Sequence, residues 1–357
     1  MSHNEIREGI LTVFLHDKGK NRIGGKQEDF SMKRIGVLTS GGDAPGMNAA
    51  IRAVTRTALY KGMEVVGIRR GYNGLINGDV FDMDARSVSS IIQRGGTLLF
   101  TARCPEFKEE AGVLKAVETC KKLGIEGMVV IGGDGSYRGA GDLSSHGVPC
   151  IGIPGTIDND ISSTDFTIGY DTAMNTVLEL VDKLRDTCHS HDRCCVVEVM
   201  GRRAGYIAVN TAIACGACDV LVPERDFDLK AITEKMQRSR KLGKQNFILT
   251  VAEGVIADSK EFNSAEDIAA YVEKETGIES RAVILGHVQR GGSPTVRDRV
   301  LASQMGYYAV GLLEKGIGNR VIGIRGNNLV DYDIQEALKM KKPFQDDLYD
   351  IADIISI

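Results

Sequence analysis

Two short segments combine aspartate with glycine in a way that suits metal-assisted chemistry on phosphates. Residues 132–139 read Gly-Gly-Asp-Gly-Ser-Tyr-Arg-Gly and follow an apolar run. Asp134 offers the hard oxygen that Mg²⁺ prefers, and Mg²⁺ usually bridges substrate phosphates while it keeps several waters. Residues 154–160 read Pro-Gly-Thr-Ile-Asp-Asn-Asp, so Asp158 and Asp160 would share one side of an extended chain. One carboxylate can accept a proton while the other anchors a metal or orients its neighbour.

Three further segments supply groups that can bind a phosphate. Residues 39–48 contain Gly41 and Gly42 between a predicted strand and a predicted helix, where backbone N–H groups can approach an anion. Neither the P-loop spacing nor the kinase glycine-rich loop is present. Residues 198–205 and 286–293 place arginine and histidine beside glycine at predicted strand ends, and such groups can bind a phosphate monoester.

Each of these segments also has a purely structural interpretation. Tight strand–helix turns use glycine, and aspartate caps helices and occurs in turns beside Asn and Gly. A single histidine is commonly a buried structural residue, and scattered arginines commonly form surface salt bridges. Several such segments end strands in one chain, which favours phosphoryl transfer to a small anionic substrate.

The composition excludes several classes of protein. Glycine makes up 42 of 357 residues, about 12% against a usual value of about 7%, but proline is scarce and no Gly-X-Y period occurs. The chain is therefore neither collagen-like nor a Pro/Gly-rich disordered chain. A net charge of −4 gives no basic field for nucleic acid or an anionic membrane. No apolar stretch reaches the roughly 20 residues that a membrane helix needs.

The cysteines predict a reduced, cytoplasmic protein. A large chain without a secretory signal is expected to keep its eight cysteines as small thiols that fill the core. Cys215 and Cys218 have Cys-x-x-Cys spacing, but no second pair completes a zinc site.

Apolar runs alternate with amphipathic patterns from Met32 onward, which predicts an α/β protein with mainly parallel sheets. The predicted strands are 34–40, 64–69, 127–131, 149–154, 194–200, 220–223, 246–252, 282–286 and 321–325. The predicted helices are 47–60, 110–123, 136–145, 170–187, 202–214, 228–242, 264–276, 296–315 and 332–340. The length predicts two domains. Residues 1–31 are polar and lack a period, so we interpret them as a poorly ordered extension.

Seven segments together resemble the bacterial ATP-dependent 6-phosphofructokinase family. They are TSGGDAPGMNAAIR (39–52), RGGT (94–97), TARCPEF (101–107), IGGDGS (131–136), PGTIDND (154–160), EVMGR (198–202) and GHVQRGGSP (286–294). The combination is specific, although IGGDGS alone also resembles NAD kinases and lipid kinases. The resemblance runs from Met32 almost to the C-terminus.

The resemblance implies two Rossmann-like α/β domains with the active site between them, in a homotetramer. Residues 32–169 with about 288–339 would bind ATP, and residues 170–287 with about 340–357 would bind the sugar phosphate. The reaction would move the γ-phosphoryl group of MgATP to the 1-hydroxyl of fructose 6-phosphate in the cytoplasm. Glycine at positions 135 and 155, where pyrophosphate-dependent relatives tend to carry Asp and Lys, favours ATP as the donor.

The resemblance also implies roles for individual residues. Asp158 would be the catalytic base, Thr156 and Arg202 would stabilise the transferring group, and Asp134 would hold Mg²⁺. The ATP-site positions are Gly42, Arg103, Cys104, Gly133, Asp134, Gly135 and Ser136. The sugar-phosphate positions are Thr156, Ile157, Asp158, Met200, Gly201, Arg202, Glu253, His287 and Arg290, with Arg193 and Arg281 reaching in from a neighbouring subunit.

The implied effector site departs from the family's pattern. Its matching positions are Arg52, Arg56, Arg185, Gly216 and Lys244. Cys218 stands where many bacterial members have Glu, Leu242 where a basic residue is common, and Ala85 where some have Arg. We therefore expect a weakened or altered response to a nucleoside diphosphate or phosphoenolpyruvate. The insertion near 256–263 and the segment 1–31 also depart from the pattern, and translation can start at Met32.

Two alternatives stay open. The chain could be a pyrophosphate-dependent or different sugar-phosphate kinase, or a non-catalytic sensor of nucleotides or sugar phosphates on the same fold. A sensor need not keep both a base and a metal ligand, so the joint presence of Asp134, Asp158, Arg202 and Arg103 argues against it.

Overall fold

The computed structural model describes residues 32–259 and 261–356, which form two β-sheets covered by helices. The strands of the first sheet are β1 (Arg34–Thr39), β2 (Glu64–Ile68), β3 (Val80–Met83), β4 (Gly127–Gly132), β5 (Cys150–Pro154), β10 (Arg320–Arg325) and β11 (Asn328–Asp333). Those of the second sheet are β6 (Cys194–Val199), β7 (Asp219–Leu221), β8 (Phe247–Ala252) and β9 (Ser280–Ile284). The predicted extension 1–31 lies outside the described residues.

The strand order of the first sheet is β11-β10-β5-β4-β1-β2-β3, and that of the second is β7-β8-β6-β9. Among the strands of the described ranges, only the pairs β2–β3 and β10–β11, at the two margins of the first sheet, are antiparallel. Every residue of β4, β5 and β8 is buried, as expected for parallel strands with helices on both faces. The predicted α/β class with mainly parallel sheets is confirmed.

Twelve helices of four or more residues surround the sheets in the described part of the chain. They are α1 (Met47–Tyr60), α2 (Gly71–Asn77), α3 (Glu110–Leu123), α4 (Asp134–Ser145), α5 (Tyr170–Ser190), α6 (Tyr206–Cys215), α7 (Leu229–Lys241), α8 (Glu253–Asp258), α9 (Ala265–Thr276), α10 (Val296–Glu314), α11 (Ile334–Ala337) and α12 (Asp346–Ile355), beside the 3₁₀ turns Pro105–Lys108 and Gly286–Arg290. None of the helices within 32–259 and 261–356 combines the length and apolarity needed to cross a bilayer.

Several of the predicted elements have different bounds in the structure, and four of them show why. The predicted strand 282–286 lies at Ser280–Ile284, and the predicted helix 202–214 begins only at Tyr206, because residues 201–205 form a turn. The predicted helix 332–340 covers only Ile334–Ala337 in the structure, because residues 332 and 333 belong to the strand Asn328–Asp333, which pairs with β10. The predicted helix 136–145 begins two residues earlier, at Asp134.

The prediction that all cysteines are free thiols is wrong for one pair. Cys188 and Cys195 form a disulfide, whereas the other six cysteines are free. Cys188 lies near the end of α5 and Cys195 lies in β6, and the reversal of the chain between them brings their Cα atoms to 6.7 Å. Cys215 and Cys218 are buried free thiols, as the core-filling interpretation predicts.

Candidate functional site

Three neighbouring strands of the first sheet end in the glycine-rich turns of the candidate site. β1, β4 and β5 lie side by side and run parallel, so residues 40–43, 133–136 and 155–158 leave the sheet at one edge. Open α/β sheets bind ligands outside this carboxyl edge. The Ser136 hydroxyl donates a hydrogen bond to the carbonyl of Ser40 (3.1 Å), which ties two of the turns together.

A cavity of about 810 Å³ opens at this edge of the sheet. Its walls include Thr156 and Arg202 and the stacked rings of Tyr72 and Phe107, whose centroids are 4.0 Å apart. The cavity also contains every position that the resemblance assigns to ATP: Gly42, Arg103, Cys104, Gly133, Asp134, Gly135 and Ser136. A Cβ atom built on Gly135 would meet nothing within 4 Å, so this position faces open space.

Asp134 begins α4 and is exposed to the cavity. Partial burial raises the pKa of Asp134, and the positive charges of Arg138 and Arg202 oppose that shift. Within the described residues, no group of three or more His, Cys, Asp or Glu side chains is arranged to hold a metal ion. An ion at Asp134 would therefore need phosphate oxygens and waters, which is the coordination that Mg²⁺ accepts.

Asp158 is fully buried at the end of the third turn. Its Oδ2 accepts a hydrogen bond from the Thr156 hydroxyl (3.1 Å) and lies 3.1 Å from Nε of Arg202. Its Oδ1 is buried without a hydrogen-bond partner among the described residues. Burial raises the pKa of Asp158 against the opposing charges of Arg202 and Arg290. One oxygen is thus held in place and the other is left able to accept a proton.

A second aspartate lies close to Asp158. Burial and the neighbouring charge of Asp158 raise the pKa of Asp160 to about 6. The two carboxylates predicted from the sequence therefore share one electrostatic environment, and only Asp158 contacts the guanidinium of Arg202.

The backbone is strained on both sides of the ion pair between Asp158 and Arg202. Asn159 and Arg202 have φ values of 52° and 56°, in the left-handed region that non-glycine residues avoid. Such conformations persist where the surroundings over-determine them. Glu253 supplies part of that constraint, because its Oε1 accepts hydrogen bonds from the backbone N–H groups of Gly201 (3.1 Å) and Arg202 (2.6 Å).

The 3₁₀ turn after β9 lies against both parts of the site. Gln289 is fully buried, and its Oε1 accepts a hydrogen bond from the Met200 N–H (3.2 Å). Arg290 donates to the carbonyl of Asp43 (3.2 Å), and a Cβ atom on Gly42 would approach its guanidinium to 2.6 Å. Glycine at position 42 therefore makes room for Arg290 as well as for a ligand.

Comparisons with known proteins agree with this geometry. A family model described as Phosphofructokinase matches residues 34–313. An ATP-dependent 6-phosphofructokinase of Bacillus velezensis is 55% identical over 326 residues, covering 91% of this chain and 100% of that protein. One of Clostridium botulinum is 54% identical over 325 residues, with the same coverage of both chains. The chain belongs to the phosphofructokinase family.

A solved relative shares the fold. The structure of phosphofructokinase from Saccharomyces cerevisiae aligns with a TM-score of 0.81 at 36% identity. The alignment covers 86% of this chain but only 45% of the yeast chain, so this chain spans less than half of that larger member of the phosphofructokinase family.

Two of the residues expected to bind sugar phosphate lie apart from Asp158, a third belongs to the apolar core and a fourth is exposed. Arg193 precedes β6 and pairs with Glu279 (2.7 Å), and Arg281 in β9 pairs with the same carboxylate (2.5 Å). Both lie at the amino end of the second sheet, whereas the turns after β6 and β8 carry Met200 and Glu253 at its carboxyl end. The side chain of Ile157 belongs to the apolar core, and His287 is exposed on the 3₁₀ turn.

The expected effector residues fall into separate groups in one chain. Arg185 donates to the carbonyls of Cys215 and Gly216, and Lys244 donates to that of Ser356 (3.1 Å). The other expected residues are Arg52 and Arg56, on α1. Of the three departures from the family's pattern, Cys218 is buried, with its pKa raised to about 12 by that burial, and Leu242 and Ala85 are exposed. The predicted insertion near 256–263 falls on the end of α8 and the following loop, of which Lys260 lies outside the described residues.

Proposed function

We propose that this chain is an ATP-dependent 6-phosphofructokinase, which phosphorylates fructose 6-phosphate at the 1-hydroxyl to give fructose 1,6-bisphosphate in the committed step of glycolysis. The observation that carries the proposal is Asp158, a buried carboxylate with one free oxygen beside a glycine-lined cavity. The relatives at 54% and 55% identity bear this activity in their names.

The residues around the cavity can take separate roles in phosphoryl transfer. The 1-hydroxyl oxygen attacks the γ-phosphorus, the bond from that phosphorus to the bridging oxygen breaks, ADP leaves, and the hydroxyl proton passes to Asp158. Arg202 and Thr156 stabilise the charge on the transferring group, because catalysis of this reaction is mainly positioning and electrostatic stabilisation. Asp134 would hold Mg²⁺, which when bound neutralises charge on the β- and γ-phosphates.

The proposed binding residues fall into two sets. For ATP they are Gly42, Arg103, Cys104, Gly133, Gly135 and Ser136, and for the sugar phosphate Met200, Gly201, Glu253, His287 and Arg290. Support for ATP over pyrophosphate comes from the open space at Gly135. It also comes from Gly155, where a Cβ atom would lie 3.0 Å from the side chains of both Ile131 and Met47, so a longer side chain there requires these two side chains to shift.

A donor comparison tests this proposal. Fructose 6-phosphate and Mg²⁺ are incubated with ATP or with pyrophosphate in parallel, and ADP and fructose 1,6-bisphosphate are measured. Turnover with ATP alone supports the proposal. Turnover with pyrophosphate alone identifies a pyrophosphate-dependent kinase. Binding of the nucleotide and the sugar phosphate without turnover identifies a non-catalytic sensor. Adding ADP or phosphoenolpyruvate tests the expected weakened or altered response to effectors, which strong ADP activation of a sigmoidal curve would contradict.

We also propose a cytoplasmic homotetramer with shared sites. Arg193 and Arg281 cannot join Asp158 within one chain, since they lie at the far end of their sheet, and a neighbouring subunit would bring them into the site. The proposed domains follow the two sheets, with 32–169 and about 288–339 binding ATP and 170–287 and about 340–357 binding the sugar phosphate. A glycolytic enzyme works in the cytoplasm, which supports that location.

A further inference from the structure

Lys342 lies between α11 and α12, far along the chain from the site, and its side chain reaches back to the turn after Asp158. Its Nζ donates hydrogen bonds to the carbonyls of Asn159 (2.7 Å) and Asp165 (3.3 Å). Asn159 is the strained residue that follows Asp158 directly. The lysine therefore holds two points of a single turn, and it does so without lining the cavity.

The same lysine also contacts the element that follows Arg202. Its Nζ lies 5.1 Å from the centroid of the Tyr206 ring, at the start of α6. A cation above an aromatic face is attracted to it. The Tyr206 hydroxyl in turn donates to the carbonyl of Pro343 (3.1 Å), so the chain at 342–343 is bound to α6 twice.

We propose that Lys342 is a positioning residue for phosphoryl transfer: it joins the turn that carries Asp158 to the start of α6, and so keeps Asp158 aligned with Arg202. This inference rests on the proposed function. The alignment matters because a catalytic group misplaced by about 1 Å can cost about 100-fold in rate.

The surroundings of Lys342 explain why a lysine is needed at this point. Burial lowers the pKa of Lys342 to about 8, while the charges of Asp165 and Asp160 favour the ammonium form and that of Arg325 disfavours it. A buried charge is costly unless hydrogen bonds compensate it, and two backbone carbonyls do so here. Asn159 adds its own bonds to the same turn, with its amide donating to the Asp165 carbonyl and its Oδ1 accepting from the Thr167 N–H.

The test compares three variants of the full chain. Lys342→Met keeps the length and removes the donors, Lys342→Arg keeps a charged donor, and Lys341→Met is the matched control because Lys341 is an exposed neighbour. We expect Lys342→Met to lose about 10-fold to 100-fold in kcat with KM for both substrates within about twofold. Lys342→Arg should recover most of that loss, and Lys341→Met should match the unmodified chain.

Hydrogen exchange followed by mass spectrometry separates positioning from general destabilisation. We expect faster exchange in residues 155–168 of Lys342→Met, with no change in α7. This readout needs no turnover, so it tests the contact even if the unmodified chain fails the donor comparison and the proposed function falls. If Lys342→Met does not fold, Tyr206→Phe is measured instead, because it removes the hydrogen bond from the Tyr206 hydroxyl to the Pro343 carbonyl. A fall of a few fold in kcat at constant KM is then expected. Unchanged kcat, unchanged exchange in 155–168, or no recovery with arginine would each overturn the proposal.

Discussion

The two oxygens of Asp158 have different surroundings, and the difference predicts what a single-atom change does. Asp158→Asn keeps the shape of the side chain but removes its capacity to take a proton. We expect kcat to fall by about 10²-fold to 10⁴-fold, the usual contribution of a positioned base, with little change in KM for fructose 6-phosphate. Steady-state kinetics measure both values, and turnover near that of the unmodified chain would refute the assignment of the base.

The Arg202 guanidinium predicts a pH effect. Burial raises the pKa of Asp158, and the charge of Arg202 opposes that rise. Removing the charge in Arg202→Gln therefore raises the pKa further, so that Asp158 loses its proton only at higher pH. The base must be ionised to act, and the acid limb of the kcat–pH profile should move to higher pH. Arg202→Lys keeps a positive charge and should move the limb less, whereas an unmoved limb in Arg202→Gln would contradict the ion pair.

The sequence predicts the residues that line the cavity better than those that hold them in place. Gly133, Asp134 and Gly135 could be assigned because an aspartate between glycines at a strand end suits a phosphate–metal site and because the segment, combined with six others, resembles one family. Gln289 and Lys342 could not be assigned, since both act on backbone groups that only the folded chain brings near them. Nothing in the spacing of a glutamine or a lysine marks such a contact.

At the scale of elements, we expect the start of α4 to influence which donor the cavity accepts. Gly135 faces open space, so Gly135→Ala should bind ATP nearly as the unmodified chain does. Gly135→Asp places a carboxylate where the phosphates would lie, and we expect KM for ATP to rise at least about 10-fold through like-charge repulsion. Steady-state titration of ATP measures this effect. If KM for ATP rises equally in Gly135→Ala and Gly135→Asp, the weaker binding results from lost space rather than from charge.

The helices α5 and α10 cap each other's N-termini. Asp298 in α10 is buried and accepts hydrogen bonds from the N–H groups of Gly169 and Thr172 (both 2.9 Å) at the start of α5. In return, the Thr172 hydroxyl of α5 accepts a hydrogen bond from the backbone N–H of Thr295, directly before α10 (3.0 Å). The pairing joins a helix that precedes the second sheet to one that follows it.

This reciprocal capping predicts a loss of stability. Asp298→Ala leaves two buried N–H groups without partners, and we expect the free energy of unfolding to fall by about 3 kcal/mol. Asp182→Ala, on an exposed part of α5, is the control and should change it by less than about 0.5 kcal/mol. Urea denaturation of both variants measures the difference, and equal midpoints would refute the role of Asp298.

Strands buried on both faces could be predicted almost to the residue, because continuous apolar runs are rare elsewhere in this chain. β3 and β11 were missed because they are partly exposed strands at the margins of the sheet and their sequences mix polar and apolar residues. The helices α2 and α8 were missed because seven and six residues are too few to show a helical period. The Cys188–Cys195 pair depends on the turn between α5 and β6, which spacing alone does not reveal.

At the scale of the whole molecule, the proposed homotetramer predicts that two defective chains can repair each other, because Arg281 would act in the site of a neighbouring subunit. Asp158→Asn and Arg281→Ala should each be nearly inactive. In mixed assemblies, a site is complete when an Arg281→Ala chain, which keeps Asp158, receives Arg281 from an Asp158→Asn neighbour. Random mixing produces this arrangement at about a quarter of the sites, so about a quarter of full activity should return. Co-expression of the two variants, followed by an activity assay of the mixed assemblies, measures the recovery. Asp158→Asn mixed with Arg202→Gln is the control, since both defects belong to the same half of the site, and no recovery is expected there.

The return of the chain from the second sheet to the first has a consequence for synthesis. Arg320 of β10 pairs with Ile151 of β5, and the whole second sheet is made between them. While the ribosome produces residues 194–284, the edge of β5 has no neighbour, and an unpaired edge is a template for pairing with other chains. Contacts this distant in sequence also form slowly. The edge of β5 in the nascent protein is therefore exposed to aggregation until β10 emerges.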